Sequence, residues 1–443
     1  MDDLGQAQST LGRALARARA GEDRELAAAV RERGEQLAHL LAGLLKMSRV
    51  HAADNRAFDA PVTELAKAIA ALSELLGAVV LVTVEDQVYV NDVRIRTEGK
   101  GSARELGAEL GKHEVGGMTF HAPLTGPQVR SLVAALAARP AETFARAALR
   151  QALAALGLRA VEVEGRFRFR TEAERAAGAG EAVQRGLSLL ARTWENLASG
   201  RVLNSLPLRR VVVDLASAPP DATELWEIPA DVPPHAAHAM TVATTALALG
   251  RAAGFGEGAL QDLGLAALLH DAGYAFAAEG QAAAAGRRHG GDGARLLLRQ
   301  RGFHEARLRR IRALLEHHTD FAGTAHPSAF GAVLRVCEDY ASFVRLHGAR
   351  VTRAAVLGAM LGAAGTAYHP ALPQLLVNAL GQHPPGTLLE LEDGRWARSA
   401  SAARNAATWA TPLARLLDPR TRAADGKVVD LARGPRIRRA VAG

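Results

Sequence analysis

Nine of the chain's 15 histidines fall between His235 and His347, in a stretch with helical periodicity and no alternating strand pattern. In order, the candidate donors there are His238, His270-Asp271, His289, His317-His318 and Asp339, separated by 32, 18, 28 and 21 residues. Each interval has room for one helix and a connection, so five elements can each bring a donor to a shared centre. A succession of amphipathic helices broken by glycines and prolines is expected from Ala236 to about Leu380.

The setting of His270-Asp271 matters most, because LGLAALLHDAG places an imidazole and a carboxylate at the end of an apolar helix. Burying that carboxylate is costly without a partner. A pair of cations about 3.5 to 4 Å apart would supply one, with Asp271 bridging them. Taken singly, the residues have plainer readings. A lone helical histidine is more often a satisfied surface or core residue than a ligand. His317-His318 could simply favour the negative end of a helix dipole. Asp339, in RVCEDYASF, could be an exposed helix acid beside Glu338. Only the joint ordering points to a metal site.

The rest of the chain divides by pattern. From Leu11 to Leu76 the sequence is rich in Ala, Leu, Arg and Glu with apolar residues at three- and four-residue intervals, which predicts helix. After Gly77, Val79 to Val84, Val88 to Val90 and Val93 to Ile95 read as a meander with turns at Glu85-Asp86 and Asn91-Asp92. A helix from about Ala103 to Leu110, a strand near Met118 to Phe120, two helices across Gln128 to Leu156 and a strand pair around Val161 to Phe169 complete an α+β unit. Beyond it come a helix over Glu181 to Leu197, a strand-like Val211-Val212-Val213 and a proline-bearing connector from Ala218 to Pro234. Near the end, Glu392-Asp393-Gly394 marks a turn between two extended runs, and GKVVDLAR suggests a further strand.

The chain of 443 residues is long enough for two or three domains. The expected boundaries are an N-terminal α+β regulatory or accessory domain at 1–170, a helical connector at 171–233, a helical metal domain at 234–386, and a small β appendage with a basic tail at 387–443. Cys337 is the sole cysteine, which excludes an internal disulfide and a thiolate zinc cluster. No basic-then-apolar leader or membrane-length apolar run is visible, so a cytoplasmic protein is expected. The formal charge is +8, but only five cations are lysine and the arginines are scattered without interleaved stacking aromatics. A nucleic-acid partner is therefore not expected.

The histidine-rich segment resembles the HD superfamily of phosphohydrolases, and within it the HD-GYP branch, whose usual activity is hydrolysis of cyclic-di-GMP. The resemblance rests on HAMTVATTALALGRAAG, LGLAALLHDAG, HGGDGARLLL, the pair His317-His318, RVCEDYASF and LGQHPPGTLLELEDG, over about Pro234 to Leu431. It implies a multidomain chain with an all-α HD-type domain and a small β appendage. It implies two divalent metal ions, with Fe or Mn suiting a histidine-rich set. His238, His270, Asp271 and Asp339 would hold one metal, and Asp271, His289, His317 and His318 the other. His270 and Asp271 would be the catalytic pair, with Asp271 orienting a metal-activated hydroxide. The substrate implied is a cyclic dinucleotide or a related phosphate ester, with Arg350 and Arg353 as candidate phosphate contacts. The resemblance also allows a homodimer or a signalling-protein partner.

The departures from the family pattern suggest a second reading, a signalling protein that keeps the fold but has lost turnover. Tyr274 stands where the family's His-Asp motif usually places a lysine, and Thr319 stands where a glutamate usually follows the double histidine. The Gly-Tyr-Pro loop is replaced by AGTAHPSAF, and Pro234 occupies the position of a glutamate that adds a third metal ligand in some members.

Overall fold

The computed structural model describes residues 22–442 apart from 53–54, 85–86, 92, 96–101, 167–177, 200–204, 220, 230, 277–285, 287, 300–304, 419 and 422–423. The expected start of the first helix at Leu11, the turn at Glu85-Asp86 and the second strand of the pair near Phe169 lie outside the described residues.

Two helices, α1 (Glu22–Met47) and α2 (Asp59–Leu76), lead into a five-stranded antiparallel sheet of spatial order β3-β2-β1-β4-β5. Its strands are β1 (Val79–Val84), β2 (Gln87–Val90), β3 (Val93–Ile95), β4 (Val115–Phe120) and β5 (Val161–Gly165). Helix α3 (Ser102–Lys112) precedes β4, while α4 (Gly126–Ala137) and α5 (Ala145–Ala155) join β4 to β5. Strand alternation sends Val79, Leu81, Val88, Val90, Met118 and Phe120 into one core with the apolar stripes of α1, α2 and α4. Helix α4 starts with a capping box, in which Thr125 and Gln128 satisfy each other's backbone amides.

A second core belongs to helices. Helices α6 (Ala179–Ala198) and α7 (Leu206–Ser217) pack with α8 (Pro234–Ala252), α9 (Glu257–Leu269), α10 (His289–Arg299), α11 (Glu305–Glu316), α12 (Ala329–His347), α13 (Arg353–Gly362) and α14 (Leu372–Leu380). Two sequence expectations change here. Val211-Val212-Val213 is not a strand but the middle of α7, where Leu208, Val211, Val212 and Leu215 form a helical stripe buried in this core. Packing outweighs the modest β preference of valine. Likewise α6 and α7, read as part of a connector, are components of the helical core.

Helix α8 is buried on almost every side from Ala239 to Gly250, and α9 from Leu263 to Leu269. Such all-round burial marks central helices. Gly264 of α9 lies so close to Val212 that a Cβ there would collide with it, which brings the two helix axes together.

The chain closes with a second antiparallel sheet of order β10-β6-β7-β8-β9, from β6 (Leu388–Leu391), β7 (Trp396–Ser399), β8 (Leu413–Leu417), β9 (Ala424–Asp430) and β10 (Ile437–Val441). A small separate core of Leu389, Leu391, Ala397, Ala414, Leu416 and Leu431 supports it. Among the described residues no helix is long and apolar enough to cross a membrane.

Candidate metal centre

Each histidine of interest sits at a helix end or faces inward from a helix. His238 lies one turn into α8, and His270 directly follows α9. His289 opens α10, and His317-His318 directly follow α11. Two glycines let these backbones converge. A Cβ on Gly273 would overlap the His289 carbonyl oxygen, and one on Gly290 would collide with the Leu314 carbonyl. Only glycine therefore allows the turn after Asp271 to press on α10, and α10 to press on the end of α11.

The donors form two adjacent groups, each with ligand atoms within 4.8 Å of one another. The first is His238, His270, Asp271 and Glu338, and the second is His289, His317 and His318. Asp271 lies between them. Its Oδ1 is 3.4 Å from His270 Nε2, 3.3 Å from His289 Nε2 and 3.9 Å from His317 Nε2. Its Oδ2 is 3.7 Å from His238 Nε2.

Ring orientation is fixed locally. The Nδ1 atoms of His270, His289 and His317 face the carbonyls of Ala267, Gly286 and Leu314 at 2.7, 2.9 and 2.8 Å. A carbonyl can only accept, so each Nδ1 carries its proton and Nε2 is the atom turned to the centre. His289 and His317 bring their Nε2 atoms to 2.9 Å. Two bare lone pairs at that distance repel unless a proton or a cation lies between them. Burial, reinforced by the neighbouring imidazoles, pushes the His317 pKa well below its usual value, which disfavours the proton. The donor set thus fits a metal cation.

His318 is arranged differently. Its Nε2 is 3.2 Å from His289 Nε2, but its Nδ1 faces the Arg335 guanidinium at 3.4 Å. Burial and then His289 lower its pKa to about 4.

The first group carries the acids. Glu338 Oε2 is 2.6 Å from His238 Nε2 and 3.0 Å from His270 Nε2, while its Oε1 accepts from Ser342. Burial opposes ionisation of Glu338, but hydrogen bonds from His238 and His270 outweigh it and hold the carboxyl well below the usual carboxylate range. Burial likewise opposes charge on His270, which is 0% exposed, yet Asp271 and Glu338 raise its pKa to about 9.

The acid of α12 that joins the centre is thus Glu338, and the expectation for Asp339 is corrected. Asp339 sits about 100° further round the helix. There it accepts a hydrogen bond from the Tyr368 hydroxyl at 2.8 Å and pairs with Arg335 at 3.3 Å. Burial raises its pKa. The stripe Leu334, Glu338, Ala341 on the buried side of α12 was the available signal for Glu338.

The arginines divide. Arg353 opens α13 and lines a cavity beside His238, whereas Arg350 is exposed in the preceding turn and does not line that cavity. Tyr274, in place of the family's lysine, stacks on His289 with ring centroids 4.4 Å apart and planes 11° apart. Burial, then the Asp271 charge, raises the Tyr274 pKa. Pro234 is the first residue of α8, and the Ala322–Ser328 loop is largely exposed, its first amide bonded to the Thr366 carbonyl.

A comparison with protein families covers the segment that carries this site. The family model for the HD domain matches residues 236–356. The match supports the HD superfamily for that segment and spans every donor of the two groups, from α8 through α12. HD domains bind divalent metals and belong to a superfamily of metal-dependent phosphohydrolases, which agrees with the donor chemistry. Neither the curated proteins nor the solved structures give a match.

Proposed function

We propose that the chain is a metal-dependent phosphohydrolase whose centre is built from His238, His270, Asp271, Glu338, His289, His317 and His318. The observation that carries this reading is Asp271, with Oδ1 facing His289 and Oδ2 facing His238. One carboxylate can therefore serve both donor groups. Two divalent cations held there, Fe or Mn among the candidates, would lower the pKa of water and polarise a phosphoryl oxygen. His238, His270 and Glu338 would hold one ion with Asp271, and His289, His317 and His318 the other.

The chain's own residues do the remaining work. Asp271 orients the attacking group between the two donor sets. The Nδ1–carbonyl contacts keep three imidazoles aimed inward with Nε2 turned to the centre. The substrate class is a phosphate ester, and a cyclic dinucleotide such as cyclic-di-GMP is its finer form. A regulatory role for the N-terminal unit, at the expected boundary of 1–170, belongs to the same proposal.

Quantifying metal in anaerobically purified protein, then assaying bis-(4-nitrophenyl) phosphate and cyclic-di-GMP beside Asp271→Ala, tests it. Metal near two per chain and turnover lost in the variant are expected. Two metals with no turnover on either ester would instead favour the second reading, a binding protein in signalling. The observation favouring that reading is Tyr274, whose ring lies flat on His289.

A further inference from the structure

Helix α12 runs past the core that buries it. Its buried residues stop at Ala341, and none of the residues from Ser342 through the turn to Val351 is buried. Seven large apolar side chains are exposed among the described residues, and three of them fall here: Phe343 at 36%, Leu346 at 64% and Val351 at 38%. Phe343 and Leu346 are three residues apart and share one side of the helix. Single exposed apolar residues need no explanation, but a local group of them marks a contact surface.

The charge of this region is as unusual as its apolar content. Tyr340 to Leu389 is a run of 50 residues without an aspartate or glutamate, in a chain that has 46 acids in 443 residues. The lysines and arginines of the run are Arg345, Arg350 and Arg353 alone. Arg345 and Arg350 are exposed beside the three apolar side chains, and among the described residues no carboxylate pairs with either. Exposed arginines elsewhere do find acids, as Arg395 does in Asp393 and Arg438 in Glu390. The surface therefore offers apolar side chains and unpaired cations, with no acid of its own to repel an anionic partner. Its three apolar side chains come from one helix end and the turn that follows, not from facing elements. A peptide partner is typically seated in a groove or added to a sheet edge, whereas a single protruding end suits a plane.

We infer that this surface docks on an anionic lipid bilayer. Phe343, Leu346 and Val351 enter the boundary between headgroups and acyl chains, and Arg345 and Arg350 stay at the level of the lipids' negative charge. Three side chains and two cations make a reversible, salt-sensitive attachment rather than a permanent anchor. The inference is independent of any reaction at the metal centre. Arg345 also lines the chamber beside His238, a cavity of about 1050 Å³ whose walls run from Trp226 to Arg415. A bilayer held here lies against one edge of that chamber.

The test is co-sedimentation of the full chain with vesicles of phosphatidylglycerol and phosphatidylcholine in equal parts, beside vesicles of phosphatidylcholine alone. Binding to the anionic vesicles is expected to be roughly tenfold or more the stronger, and to weaken as salt is raised. Leu346→Ser is expected to weaken it roughly tenfold, and Arg350→Gln about fivefold. Both are exposed positions, so the fold tolerates either change. Arg438→Gln, at an exposed arginine of β10, is expected to leave binding unchanged. Absence of binding, equal binding to both kinds of vesicle, or unchanged binding in Leu346→Ser would overturn the inference. An equal loss in Arg438→Gln and Arg350→Gln would also overturn it, because the attraction would then belong to the net charge of the chain. A change in oligomeric size in Leu346→Ser without vesicle binding would assign the surface to a protein partner instead.

Discussion

The two halves of the centre are built on opposite electrostatic principles. Around His238 and His270, Asp271 and Glu338 set two carboxylates against two imidazoles, and His270 is raised to about 9 as a result. Around His289, His317 and His318, three imidazoles share the space and two of them are pushed down, His318 to about 4. The acidic half attracts a cation by charge but must shed a proton to take it. In the histidine half, His317 and His318 have little hold on a proton, and only Asp271 supplies negative charge. The first half should therefore bind more tightly and with more pH dependence than the second.

The largest expected effect comes from Asp271, which serves both halves. Asp271→Ala should lower both metal content and turnover by more than about 100-fold, read by metal analysis and ester hydrolysis. Separate loss of one metal with turnover intact would break the idea of a shared carboxylate. Next comes the contrast between the neighbouring acids of α12. Glu338→Gln should halve the bound metal, whereas Asp339→Asn should leave it unchanged and cost about 1 kcal/mol of stability through the weakened Tyr368 contact. The reverse outcome would return the ligand role to Asp339.

Proton linkage sharpens the comparison further. Near pH 7, below the raised value of His270, metal uptake by the acidic half should release about one proton, read by calorimetry in buffers of different ionisation enthalpy. His317 and His318 should release none. Their depressed values also predict that the fold loses stability on acidification. The unfolded chain binds protons first below its usual histidine pKa near 6.5, so the loss begins there and continues down to about 4 for His318. A flat melting temperature between pH 7 and 4 would contradict this. The smallest expected effect is at Tyr274, where Tyr274→Lys should raise turnover a few-fold by placing a cation where phosphate charge develops. No change would show that the ring on His289 does not limit the reaction.

Much of this was legible in the sequence because it is periodic or local. The meander at Val79 to Ile95 announces itself by short runs of β-branched residues between turns, and the apolar run before His270 announces a buried helix. Six of the seven residues that the structure gathers into the two groups stand in the ordered series of His and Asp read from the sequence. Glu338 was missed because adjacent acids on one helix differ only in which face they occupy, and that face is set by what packs on α12. The same holds for Val211 to Val213, whose local preference is for strand but whose partners lie in a helical core. Arg350 and Arg353 differ by a turn, and only the chamber tells them apart. The chamber itself is joined from segments as distant as Trp226 and Arg415, which no local pattern connects.

Each of the three imidazoles latched through Nδ1 uses a carbonyl only three residues earlier in its own chain. Its direction is therefore decided within a single turn of backbone, before any other helix arrives. Assembly of the centre then requires only that pre-aimed turns be brought into register, so these short segments are modular parts that could be moved to another helical scaffold with their aim intact.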